Sequence, residues 1–116
     1  MKVIIRNQTR GTILGEAVEV ADTSEKRRTG LLKHKRLEPG QGLWITPCES
    51  VHTFFMKFPI DLVYVDKQHK VRKVRHAVAP WRMSACLLAD SVIELAAGSA
   101  KLSGTQAGDA LAVETV

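Results

Sequence analysis

Cysteine is scarce in this chain of 116 residues: there are two, Cys48 and Cys86. They form no C-x-x-C pair, which speaks against a zinc ribbon and a thioredoxin-like redox site. Long apolar runs are missing as well. None approaches the ~20 residues that a membrane-spanning helix needs, so no membrane span is expected. The opening Met1-Lys2-Val3-Ile4-Ile5-Arg6-Asn7 holds an apolar run of three residues, far short of the core of a secretory signal. The expectation is a cytoplasmic protein with both thiols reduced. There is no repeat at a solenoid period and no low-complexity segment. Aromatic residues make up only 5%.

What is present is the balance of an ordinary soluble globular protein, 45% hydrophobic and 25% charged. The length suits one domain over residues 1–116, large enough to bury a core without disulfide or metal staples. Net charge is +5 and the pI is near 9.5. The cations cluster as Lys26-Arg27-Arg28, Lys33-His34-Lys35-Arg36 and Lys70-Val71-Arg72-Lys73-Val74-Arg75-His76. Such clusters attract polyanions at any sequence by neutralising phosphates. They also occur as plain solvated faces. With no recognisable nucleic-acid motif beside them, the expectation is weak, non-specific polyanion binding.

Patterning predicts strands at residues 2–6 and 12–20, with Asn7 and Gly11 at the turn between them. Asp22 stands three residues before Glu25, an N-cap pattern that predicts a helix near residues 23–33. Glu38-Pro39-Gly40-Gln41-Gly42 reads as a type II turn, and Leu43-Trp44-Ile45 as a short buried strand. Residues 50–58 read as one strand with His52, Phe54, Met56 and Phe58 on a common face. Further strands follow at residues 60–66, 70–79, 91–95 and 110–116, with a short helix near 97–102 that Gly104 stops. Residues 83–90 read equally as helix or loop. About seven short strands with one or two short helices predict an α+β, mainly β domain, built as a small curled antiparallel sheet or barrel.

The densest chemistry lies in Cys48-Glu49-Ser50-Val51-His52-Thr53-Phe54-Phe55-Met56-Lys57-Phe58-Pro59-Ile60-Asp61. A thiol, an imidazole and a carboxyl stand there among large apolar groups, where polar groups are costly unless satisfied. In order along the chain come Arg27-x-x-Gly30-Leu31, Gly42-Leu43-Trp44, His52 to Asp61, Pro80-Trp81-Arg82, Glu94-Leu95-x-x-Gly98 and Gly108-Asp109. This series resembles the family known as domain of unknown function 192, from about residue 15 to the end. The family commonly has an Asn-Thr pair after the Met-Lys with Ile-Pro-Leu-Asp following; here Phe58-Pro59-Ile60-Asp61 is shorter and resembles a Cys/His-containing bacterial branch. The resemblance implies a compact β-rich fold and no established activity.

Three constellations compete for a function. Cys48 with His52 as its base, and Asp61 beside them, would make an enzyme. On a regular strand, however, positions four apart lie about 13 Å from each other, so the chain would have to bend between them. Otherwise Cys48 is a small buried hydrophobe, His52 a core histidine and Asp61 a turn cap. Arg27, Trp81 and Arg82, with His52 and Asp61, would make a ligand-binding site of planar cations and a stacking surface. Otherwise Arg27 ties the helix to the sheet through Asp61 or Glu94, and Trp81 plugs the end of a barrel. A metal needs three or four converging ligands. Cys48, His52, Asp61 and His76 are of the right type, but their spacing does not demand a site, so neither metal nor cofactor is expected. The leading expectation is a small binding or accessory domain without catalysis. Its partner is an unknown small ligand or protein, and Arg27, His52, Asp61, Trp81 and Arg82 gather at one end of the fold with Cys48 at the rim.

Overall fold

The computed structural model describes residues 1–32 and 34–116. Lys33, placed by patterning at the end of the first helix and the head of a basic cluster, lies outside the described residues. The fold is mainly β. The strands are β1 (Lys2–Asn7), β2 (Thr12–Ala21), β3 (Gln41–Ile45), β4 (Ser50–His52), β5 (Ile60–Val65), β6 (Val71–Val78), β7 (Met83–Ala85), β8 (Ser91–Ala96) and β9 (Leu111–Thr115). The helices are α1 (Ser24–Thr29) and α2 (Ser99–Ser103).

Seven strands form one curled sheet in the order β6-β5-β8-β3-β2-β1-β9, and β4 and β7 form a separate two-stranded ribbon. All pairs in the sheet are antiparallel except β2 with β3, which run parallel because α1 carries the chain across between them. The two edge strands approach each other at one end. An antiparallel bridge joins Lys70 to Ala110, and Val71 N–H and Leu111 N–H donate to Asp109 and His69 carbonyls at 2.8 and 2.9 Å. The sheet is therefore partly closed on itself, which shields edge backbone that would otherwise be free to pair.

β5 and β8 lie side by side near one end of the sheet and are buried at every position. Side chains alternate across a strand, so these two strands feed two cores. Val63, Val65, Ile93 and Leu95 join Val3, Ile5, Leu14 and Val18 on one face, with Ala100 of α2 packed among them. Ile60, Leu62, Tyr64 and Val92 join Leu31, Leu43, Ile45 and Met56 on the other face.

Local structure corrects several expectations. α1 is capped by Thr23, whose hydroxyl accepts from Lys26 N–H, and it ends at Gly30 with φ 49°. It is shorter than expected because only Leu31 and Leu32, just beyond it, supply apolar anchors. Residues 83–85 are strand. The expected strand over residues 50–58 stops at His52. Thr53 turns inward there, and the common face of His52, Phe54, Met56 and Phe58 does not form.

Candidate functional site

The second core opens to solvent through a cleft of about 790 Å³, within the size range of small-molecule sites. Its walls come from α1 (Ser24, Arg27 and Arg28), the turn after it (Leu31, Leu32), the segment around β4 (Cys48, Ser50, His52) and Met56. Glu94, from the middle of β8, reaches the same cleft.

Glu94 is only 3% exposed. Its carboxyl takes part in no hydrogen bond or ion pair among the described residues. Burial alone disfavours the charged form and pushes its pKa from 4.5 up to about 7. A carboxyl held at that value is half-ionised near neutrality and can give or take a proton. Sequence reading weighed Glu94 only as a structural partner for Arg27. The missed signal was a carboxylate inside an otherwise apolar strand, Val92-Ile93-Glu94-Leu95-Ala96.

Arg27 and Arg28 stand on the helix wall without a carboxylate partner among the described residues. Arg27 donates to the Asp22 carbonyl at 3.1 Å and to Ser24 Oγ at 3.3 Å, and Arg28 to the Ser24 carbonyl at 3.4 Å. The alternative, a structural tie from Arg27 to Asp61 or Glu94, is not made. Cys48 is half-buried, and its thiol donates to the Ser50 carbonyl at 3.0 Å rather than to His52. Burial raises the thiol pKa, with Glu94 and Glu49 adding to the rise and the Ser50 contact and Arg27 opposing it. His52 is exposed. Its ring stacks on Phe54 with centroids 5.0 Å apart, and Phe54 stacks on Trp81 at 5.8 Å. Trp81 in turn meets Phe55 at 4.7 Å.

Arg27, Cys48 and His52 thus share one cleft with Glu94. Trp81 reaches it only through the aromatic ladder, and at 56% exposure it plugs nothing. Arg82 curls back on the carbonyls of Pro80 and Trp81 at 3.5 and 3.3 Å. Thr53, buried to 1%, pins this corner. Its hydroxyl donates to Ala79 O at 2.7 Å and accepts from Arg82 N–H at 2.9 Å. Its backbone N–H donates to Arg82 O at 2.8 Å, and its carbonyl accepts from Trp81 N–H at 3.0 Å. With a further bond from Met56 N–H to the same carbonyl at 3.2 Å, those bonds hold Phe55 and Trp81 in left-handed backbone conformations, φ 65° and 67°, which bulky residues rarely adopt.

Asp61 lies apart from all of these, facing the first core. Its Oδ1 accepts from Ala77 N–H at 2.8 Å, and its Oδ2 from Gly98 and Ala100 N–H at 3.1 and 2.9 Å. It anchors the kinked end of β6, where Ala77 has φ 45°, and the start of α2. His76 is exposed on β6. Among the described residues, no three His, Cys, Asp or Glu side chains converge as metal ligands would. No helix among them is long and apolar enough to cross a membrane.

Residues 4–113 match the family described as DUF192, an uncharacterized ACR. The chain belongs to that family. It is 33% identical over 81 residues to a UPF0127 protein of Thermococcus sibiricus, covering 66% of this chain and 51% of that one. The chain therefore spans about half the length of the curated relative it matches. Two crystal structures share the fold. One is from Sinorhizobium meliloti and is described only provisionally as a transcription regulator. It has a TM-score of 0.84 at 21% identity, covering 97% of this chain and 92% of that one. The other is a protein of unknown function from Novosphingobium aromaticivorans, with a TM-score of 0.80 at 18% identity over 97% and 84% of the two chains. Neither likeness carries more than the fold.

Proposed function

We propose that this domain binds a small molecule in the cleft between α1, the β4 segment and β8. The observation that carries the reading is Glu94, 3% exposed in the wall of that cleft, whose carboxyl has no hydrogen-bond or ion-pair partner among the described residues. A carboxyl set so far into the core is poorly hydrated, and a ligand that donates to it through the cleft would offset that cost on binding. Arg27, Arg28, Ser50 and His52 line the same space and supply further polar contacts. The ladder His52-Phe54-Trp81 extends the cleft wall outward as an apolar shelf.

The alternative of an enzyme built on Cys48, His52 and Asp61 draws less support. The Cys48 thiol is turned to a carbonyl and raised by burial, the reverse of an activated nucleophile, and Asp61 is engaged elsewhere. A nucleic-acid module is supported mainly by net charge, and several cations are already engaged. Arg72 pairs with Asp66 and Arg36 with Glu38, while Lys73 donates to Ala85 O at 2.8 Å. The two free thiols, Cys48 and Cys86, fit a reducing, cytoplasmic setting.

Amide NMR spectra recorded against mixtures of common metabolites test the binding reading. The expected outcome is a ligand that shifts resonances around Arg27, Cys48, His52 and Glu94 and loses affinity in Glu94→Gln. Shifts confined to other surfaces, or no shifts at all, would overturn it.

A further inference from the structure

Two groups of opposite charge face the cleft without satisfying each other. Glu94 is 3% exposed at the cleft wall with no donor against it among the described residues, while Arg27 and Arg28 line the wall with guanidinium groups that, among the described residues, reach only neutral oxygens. No ion pair joins either arginine to Glu94. A guanidinium has five donors in a planar fork. Arg27 spends two N–H contacts on the Asp22 carbonyl and the Ser24 hydroxyl, and Arg28 spends one. Each keeps donors for an anion.

A ligand carrying a single charge would leave one of these groups unmatched. A positive ligand would answer Glu94 and face the arginines unfavourably. A negative ligand would answer the arginines but would avoid repulsion from Glu94 only while that carboxyl kept its proton. The cleft is large enough to keep the two ends of one ligand apart.

Resting on the ligand-cleft reading above, we infer that the cleft takes a small zwitterion, its cationic or strongly donating end against Glu94 and its anionic end against Arg27 and Arg28. The aliphatic wall of Leu31, Ile45 and Met56 suits an apolar spacer between the two charges. An unbranched amino acid with its charges at opposite ends is the simplest molecule of that class.

The test uses five probes on the whole chain: glycine, γ-aminobutyrate and ε-aminocaproate as zwitterions of graded length, with n-hexylamine and caproate as single-charge controls. Binding is read by calorimetry and by amide shifts around the cleft. At least one zwitterion should bind tenfold or more tighter than either control. Glu94→Gln and the double variant R27Q/R28Q should each weaken it about tenfold. Glu94→Gln is nearly isosteric and the arginines lie on a short surface helix, so thermal unfolding serves to confirm that each variant is folded.

If an amine or a carboxylate alone binds as tightly as every zwitterion, the charge-pair inference fails while the binding cleft stands. If no zwitterion moves a cleft resonance, the inference fails outright, and the metabolite screen judges the cleft separately. Zwitterion binding that is unchanged by Glu94→Gln contradicts the assigned orientation and overturns the inference as well.

Discussion

Asp61 and Glu94 sit on neighbouring strands, one residue out of step, and have opposite fates. In the β5–β8 ladder Asp61 stands opposite Leu95 and Leu62 opposite Glu94. That single step sends the two carboxyls to opposite faces of the sheet. Both are almost completely buried, at 0% and 3% exposure. Asp61 accepts three backbone N–H groups; Glu94 accepts none among the described residues. Burial alone therefore does not separate a satisfied acid from one that still lacks donors. The supply of donors does. Asp109 makes the same point. Burial would raise its pKa, but the Arg10 guanidinium, the Asn7 amide and the Gln106 N–H outweigh that and leave it lowered.

The sharpest way to break the comparison is to remove Asp61. Asp61→Ala strands three backbone N–H groups, each costing about 1–3 kcal/mol if left unmet. We expect a loss of about 4 kcal/mol in denaturant unfolding, discounting for water that reaches the exposed Gly98. A loss below about 1 kcal/mol would mean that the α2 start and the β6 kink hold without it.

Glu94 should respond in the opposite direction. Its folded pKa, about 7, lies above the ordinary 4.5, so the folded chain holds the proton more tightly than the unfolded chain. Stability is then highest below about 4.5, falls as pH rises through the window to about 7, and stays low above it. The full difference is about 3 kcal/mol. Glu94→Gln should remove most of this slope and stabilise the protein by about 2 kcal/mol above the window. A variant less stable than the parent at every pH would show that Glu94 has structural partners after all.

Thr53→Val sharpens the contrast at the edge of the site. It deletes the hydroxyl between Ala79 O and Arg82 N and should cost about 2 kcal/mol. It should also loosen Phe55 and Trp81, seen as a red-shifted, less structured Trp fluorescence. An unchanged spectrum would show that the backbone bonds of Thr53 alone hold the corner. The smallest effect concerns Cys48. A raised thiol pKa leaves less thiolate near neutrality, so alkylation of Cys48 should run several-fold slower than that of a model thiol. Faster reaction would restore the nucleophile reading.

The fold was largely legible in the sequence because its central strands write their burial plainly. Val63 to Val65 and Val92 to Leu95 are runs that only a strand covered on both faces needs. The loop after His52 was not legible. Thr53-Phe54-Phe55-Met56 has strand-like composition, and what stops the strand is a set of bonds from Thr53 to residues 79–82, which local pattern does not contain. The site was half legible for a related reason. Arg27, Cys48 and His52 stand out by type. Which of Asp61 and Glu94 joins them depends on strand register and on donors in α2 and β6, distant in sequence. Both acids interrupt apolar strands in the same way, so the sequence signal for the two is alike.

The most direct test of this contrast is a carbon NMR titration of the Glu94 side-chain carboxyl. A midpoint near 7, absent from Glu94→Gln, is the predicted result. A midpoint at the ordinary 4.5 would mean that water or an unrecognised donor already satisfies Glu94, and would contradict the claim that it is held in reserve for a ligand.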